Sequence, residues 1–175
     1  MATSLSPNLS TLKDSLEAAG VRYALASFVD LHGMCKAKAV PLSHFSQMMA
    51  GSELFTGAAL DGVPQDVSDE EVSAHPDPKS ATILPWNSEL AWFASDLYLT
   101  GEPFAACCRG ILKRILAEAA QMGFTFNLGI ETEFFLLQET ADGQILPLSE
   151  RDTLHKPCYD LQGLLDNVIP TWVLP

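Results

Sequence analysis

The sequence predicts a mixed α+β fold. A short segment with apolar residues at helical spacing opens the chain, and two strand-like runs follow it directly. A longer amphipathic segment, FAACCRGILKRILAEAAQMG (104–123), comes after a second block of strand-like sequence. Helices and strands therefore share one chain without the regular alternation of a parallel α/β fold. There is no internal repeat and no low-complexity stretch.

In LSTLKDSLEAA (9–19), Leu9, Leu12, Leu16 and Ala19 recur at helical spacing, and Gly20 is a natural stop. VRYALASFVD (21–30) is rich in residues suited to a sheet and predicts a strand. Asp30-Leu31-His32-Gly33 is a turn signal, and CKAKAV (35–40) alternates, with Lys36 and Lys38 on one face. Pro41 closes that strand, and LSHFSQMMA (42–50) predicts a short helix. From Gly51 to Pro85 apolar periodicity fades, and GAALDGVPQDVSDEEVSAHPDP predicts a long loop, of the kind that is usually functional or disordered. SATILPW and AWFASDLYL (91–99) resume strand character, and GEP (101–103) is a plausible boundary. The helix over 104–123 carries Ile111, Leu112, Ile115, Leu116, Ala119 and Met122 as its apolar stripe. Arg109, Lys113 and Arg114 mark its more polar side, and Gly123 ends it. FTFNLGIETEFFLLQ predicts a strand, ADGQ (141–144) a turn and ILPL a return strand. YDLQGLLDNVIP (159–170) reads as the opening of a helix or amphipathic segment.

Composition narrows the function classes. Lys and Arg total 10 against 22 Asp and Glu, a net charge of -12. Such a chain repels nucleic acid and anionic membrane, because phosphate binding is dominated by Lys and Arg. No charge-free apolar window is long enough to span a bilayer, and the N-terminus lacks the features of a secretory signal or transit peptide. Cys35, Cys107, Cys108 and Cys158 form no CxxC pair, which argues against a zinc site or a disulfide framework. Reduced thiols and a cytoplasmic location are the simplest expectation.

The stretch GIETEFFLL (129–137) carries the most chemistry, because it sets two carboxylates one residue apart at the head of an apolar run. In a strand, residues i and i+2 share a face roughly 6.6 Å apart. Glu131 and Glu133 would then repel each other, and a divalent cation would remove the conflict. Hard oxygen ligands suit Mg²⁺ or Mn²⁺. A half-exposed strand with its acids in water is the plain alternative, and a general acid/base pair is a third. His32, His44, His75 and His155 have no ligand-like spacing and are expected at surface or turn positions, and Trp86 and Trp92 in the core or an interface.

GIETEFFLL resembles the Glu-x-Glu-Phe strand that opens the catalytic domain of glutamine synthetases. SFVDLHGMCKAKAVPLSHF, LDGVPQDVSD, HPDPKSATILPW and FAACCRGILKR occur in the order of that family's landmarks. KAKAVP, TGAALDG and KPCYD are most similar to the branch often labelled type III or glutamine-synthetase-like. The resemblance implies a β-grasp N-terminal domain over residues 1–103, followed by the first elements of the catalytic α/β domain over 104–175.

The implied reaction joins glutamate to ammonia with ATP as co-substrate, through a γ-glutamyl phosphate, assisted by Mg²⁺ or Mn²⁺ that neutralise phosphoryl oxygens. By resemblance, Glu133 is a ligand of the metal that helps bind glutamate, and Glu131 of the metal on the nucleotide phosphates. Asp61 of LDG matches an acid that binds ammonium and takes its proton in a neighbouring subunit's active site, and Asp69 of VSD is a looser match; a solvated Asp-Gly turn is the plain alternative. Arg109 matches a family arginine of structural role. The family's rings imply a homo-oligomer at full length, with glutamate, a small amine and ATP as partners. The family's remaining ligands lie beyond position 175, so the sequence is expected to be an incomplete piece, inactive as a synthetase alone: a truncated product, a frameshift at TWVLP or a cut fragment. Two other functions fit the same landmarks. One is a ligase using methylamine or another amine in place of ammonia. The other is a non-catalytic β-grasp module that binds a partner or inserts into a synthetase oligomer.

Overall fold

The computed structural model describes residues 8–131, 133, 135–148, 159–163 and 165. Helix α1 spans Leu9–Ala18 and begins where the Asn8 side chain accepts the Ser10 amide at 3.0 Å. Leu16 is buried and Leu12 packs on the core, while Gly20 takes φ +85° as the chain leaves the helix. Strand β1, Tyr23–Val29, buries Ala24, Ala26 and Phe28 on one face. The turn after it is built on Asp30, whose Oδ1 accepts the amides of His32 and Met34, each at 2.9 Å. Strand β2, Cys35–Pro41, returns antiparallel in register from Val29↔Cys35 to Tyr23↔Pro41. A 3₁₀ turn over Leu42–His44 leads into helix α2, Phe45–Met49, and Leu42, Phe45 and Met48 are all buried.

The stretch expected as a long loop is more structured than its composition suggests. It holds β3 (Glu53–Phe55) and β4 (Val72–Pro76), with 3₁₀ turns at Gly57–Ala59 and Pro78–Ser80, while β5 (Thr82–Leu84) falls in SATILPW, where a strand is expected. Strand β4 alternates strictly, with Val72, Ala74 and Pro76 buried and Ser73 and His75 half-buried. Its apolar positions are few, and acids and prolines flank it, so a two-residue period over five residues is hidden by composition. Strand β6, Asn87–Leu99, is the spine of the sheet, and β7 is a two-residue strand at Glu102–Pro103.

The sheet has seven strands in the order β2-β1-β6-β4-β3, with β5 and β7 also paired to β6. It is mixed: β1 runs parallel to residues 90–94 of β6, and β4 runs antiparallel to residues 95–98. The sheet curls enough for its two edges to meet. The Lys38 ammonium on β2 donates to the Leu54 carbonyl on β3, and the Phe28 ring stands edge-on to Phe55 at 4.9 Å. On the same face as Phe28, Phe45 of α2 packs on Phe93 of β6, with ring centroids 5.7 Å apart and both side chains fully buried. That contact, with Met48 and Val72, is the centre of the core. Trp86, expected in a core or interface, is 79% exposed, because it sits in the tight β5–β6 turn with its neighbours in water.

Helix α3 spans Cys108–Gln121, inside the expected 104–123. Its N-cap is Cys107, a buried thiol whose Sγ accepts the amides of Gly110 at 3.3 Å and Leu97 at 3.4 Å. The chain divides into two compact units, Met1–Phe126 and Asn127–Pro175, so α3 clusters with the sheet. The apolar stripe of α3 is exposed at Ile111, Leu112, Ile115, Leu116 and Met122; its charged side is what meets the sheet.

In the second unit, β8 (Leu137–Glu139) and β9 (Ile145–Pro147) form the hairpin expected around ADGQ. Thr140 closes it by donating its amide to the Gln144 carbonyl at 2.9 Å and its hydroxyl to Asp142 at 2.5 Å. The strand expected over FTFNLGIETEFFLLQ is found only at its end, where Leu137 and Gln138 open β8; the described residues between Phe124 and Leu136 are not in a strand. A strand is defined by a paired neighbour, and among the described residues nothing pairs with this run. Helix α4 is a single turn, Leu161–Gly163; residue 164 and residues 166–170 of the expected segment lie outside the described residues, as do His155 and Cys158. Cys35, Cys107 and Cys108 are free thiols, as expected, and among the described residues no helix is long and apolar enough to cross a membrane.

Candidate functional site

Asp61 and Gly62 lie between two residues that pack on the core, Leu60 and Val63. Gly62 has φ +75°, and a Cβ there would fall 2.6 Å from Leu31 Cδ1. The β1–β2 turn therefore seats Leu31 against the Asp-Gly dipeptide, and the positive φ at Gly62 favours glycine. The same turn brings His32 Nε2 to 2.7 Å from Asp61 Oδ2. Sequence reading placed His32 on a turn at the surface, which is correct, but gave it no partner. The two residues are 29 positions apart, and no spacing rule links them.

Asp69 is held differently. Its Oδ2 accepts the Asp66 amide at 2.7 Å and its own amide donates to the Asp66 carbonyl at 3.0 Å, so its carboxylate stabilises a local turn. It borders a shallow cleft with Pro64, Gln65, Thr100 and Phe104. Gln65 steadies this loop from within, packing over Gly57 and donating to the Glu70 carbonyl at 3.0 Å.

Arg109 is the hub of the strongest charge network. Its Nη2 donates to Asp77 Oδ2 and its Nη1 to Asp96 Oδ1, each at 2.6 Å. The Lys113 ammonium, one helical turn on, reaches Asp96 Oδ2 at 2.6 Å. Burial raises both carboxyl groups, but for Asp77 the Lys79 amide and Arg109, and for Asp96 Lys113 and Arg109, outweigh it and leave each below the ordinary carboxylate range. Asp77 also caps the 3₁₀ turn at Pro78–Ser80. The structural role expected of Arg109 is thus borne out: it ties α3 to β6 and to the β4–β5 connection.

Glu131 and Glu133 lie in the second unit, and both are exposed. Their chemistry suits a hard divalent cation, since carboxylate oxygens are the ligands Mg²⁺ and Mn²⁺ prefer. Two carboxylates are a minority of an octahedral shell. Among the described residues no group of three or more His, Cys, Asp or Glu is arranged to hold a metal. The pair would thus be the carboxylate part of a shell otherwise made of water, substrate oxygens or other ligands.

Known proteins resemble this chain. A family profile described as glutamine synthetase, catalytic domain, matches residues 105–162. A glutamate–methylamine ligase of Methyloversatilis universalis is 37% identical over 145 residues, which is 82% of this chain and 33% of that protein. A glutamine synthetase of Rhizobium leguminosarum bv. phaseoli is 37% identical over 147 residues, 83% of this chain and 32% of that protein. Over more than four-fifths of its length the chain is similar to members of the glutamine synthetase family. Among solved structures, a GmaS/ADP complex superposes with a TM-score of 0.71 at 30% identity, covering 89% of this chain and 35% of that one. Apo GmaS gives 0.70, also at 30% identity. The chain spans about a third of the length of the glutamine synthetase relatives it matches.

Proposed function

We propose that this chain carries the amine-facing loop and the first metal-binding glutamates of an ATP-dependent glutamate–amine ligase. The observation that supports the reading most is its 37% identity, over more than four-fifths of its length, to ligases of this family. In this reading glutamate is phosphorylated by ATP, and an amine displaces phosphate from the γ-glutamyl phosphate. Glu131 and Glu133 hold Mg²⁺ or Mn²⁺, whose positive charge offsets that of the phosphoryl oxygens. Asp61 binds the cationic amine and takes its proton, and Asp69 steadies the same loop. The curled mixed sheet with its parallel central pair is the family's β-grasp module, and the active site is completed between copies of a homo-oligomer. Both ammonia and methylamine fit, because the methylamine ligase and the glutamine synthetase match this chain equally well.

The test pairs two measurements on the purified chain. Mn²⁺ binding is followed by electron paramagnetic resonance, with Glu131→Gln and Glu133→Gln for comparison. Phosphate release from ATP is followed with glutamate and either ammonia or methylamine. We expect Mn²⁺ affinity to fall about ten-fold or more in Glu133→Gln, since even outer-shell ligand partners contribute on that scale. Turnover lost in the same variant would add the identity of the amine. Mn²⁺ binding indifferent to both glutamates, with no turnover, would reject the reading.

A further inference from the structure

We infer that His32 is the positioning residue for Asp61: it fixes one carboxylate oxygen so that the other is presented to a cationic amine. The inference deepens the ligase reading of Asp61 and rests on it. Its basis is the way two separate turns are locked together. The β1–β2 turn is rigid because Asp30 sits inside it, with its side chain only 5% exposed. That carboxylate accepts two amides, one of them the amide of His32 itself, and its second oxygen lies 3.4 Å from the Lys36 ammonium. Its carboxyl is held below the ordinary range, chiefly by the Met34 amide. The backbone of His32 is therefore fixed by a buried anion.

The Asp61 side is fixed at its backbone and loose at its side chain. Leu60 and Val63 pack on the core, and Leu31 covers Gly62, so the main chain has little freedom. The Asp61 side chain is 82% exposed, and among the described residues its one hydrogen bond is the 2.7 Å contact to His32 Nε2. An exposed aspartate without a partner samples several rotamers. With Oδ2 held by an imidazole, Asp61 keeps one, and Oδ1 faces outward with its lone pairs open. A carboxylate only accepts, so the neutral ring carries its proton on Nε2 and leaves Nδ1 bare. A primary ammonium has several N–H donors and a positive charge, which is what an outward carboxylate oxygen of fixed direction recognises.

The test is NMR on the isotopically labelled chain without ATP or metal, so it reports on the pair alone, while the Mn²⁺ and phosphate assays report on the ligase reading. Wild type is compared with His32→Ala, which removes the donor, and His32→Gln, which keeps an N–H donor. Imidazole ¹⁵N shifts should show the Nε2–H tautomer in wild type. Asp61 ³J couplings should show one χ1 rotamer in wild type and His32→Gln, and averaging in His32→Ala. The Asp61 carboxyl ¹³C shift is then followed against methylammonium, with tetramethylammonium as the control that has the charge but no N–H. We expect a methylammonium-specific response that weakens about two- to five-fold in His32→Ala, the range for an exposed charged pair, and recovers in His32→Gln. Equal Asp61 averaging in wild type and His32→Ala would overturn the inference. So would an Asp61 carboxyl that responds to both cations alike.

Discussion

Arg109 shows how much one side chain can hold when its geometry is right. The guanidinium fork meets two carboxylates from two different elements, each at 2.6 Å, with its own side chain 30% exposed. Neither Asp77 nor Asp96 is far enough into water to be content alone. Replacing Arg109 with Met should lower the stability of the first unit by about 1–3 kcal/mol, measured by urea unfolding. Replacement with Lys should recover only part of that, since an ammonium cannot bridge two carboxylates as a planar fork does. A loss under about 0.5 kcal/mol in the Met variant would mean the network is ornamental. At this scale the sequence was half legible. By resemblance Arg109 could be read as structural and Asp61 as a candidate, but Asp77, Asp96 and His32 could not be assigned as partners. Their contacts join residues 13 to 32 positions apart, and no local pattern encodes such a meeting.

Elements were legible where their period was long or their boundaries were chemical. Helix α1, the β1–β2 hairpin and α3 lie where helical spacing, a turn tetrapeptide and a terminal glycine placed them. Strand β4 was missed because Ala and Pro bury without looking apolar. The strand expected over 124–138, from propensity and from the resemblance of GIETEFFLL, is found only at its end in β8, because propensity does not supply the neighbour that a strand needs. Strand β6 carries the greatest consequence. Phe93 projects from it into full burial against Phe45, so Phe93→Ala should cost about 3–5 kcal/mol by the same urea assay. A cost near 1 kcal/mol would show that α2 collapses readily onto the gap.

For the molecule as a whole, charge sets the response to acid. Asp30, Asp77 and Asp96 all have carboxyl groups below their ordinary value of 3.8 in the folded chain. A carboxyl depressed by folding contributes stability above its unfolded pKa and loses it as pH falls through the folded value. Stability should therefore be flat near neutrality and fall below about pH 4. Circular dichroism across that range in dilute solution checks this, and the acid limb should be shallower in the Arg109→Met variant. Stability that begins to fall near pH 6 would point to histidine rather than these aspartates. The mixed α+β class was legible at this scale from the succession of patterns. The sheet order was not, because no sequence pattern foretells that β1 pairs in parallel with a strand more than sixty residues away.

That pairing bears on how the chain reaches its fold. Strand β1 emerges early in synthesis, yet its inner edge stays open until residues 90–94 arrive to dock beside it. Helix α2 and strands β3 to β5 all lie in the loop that this docking closes. Closing such a loop costs entropy before any contact repays it, and topologies dominated by distant pairings fold slowly, on the scale of milliseconds to seconds. During that interval Ala24, Ala26 and Phe28 await their cover, which makes a nascent chain of this kind a natural client for chaperones.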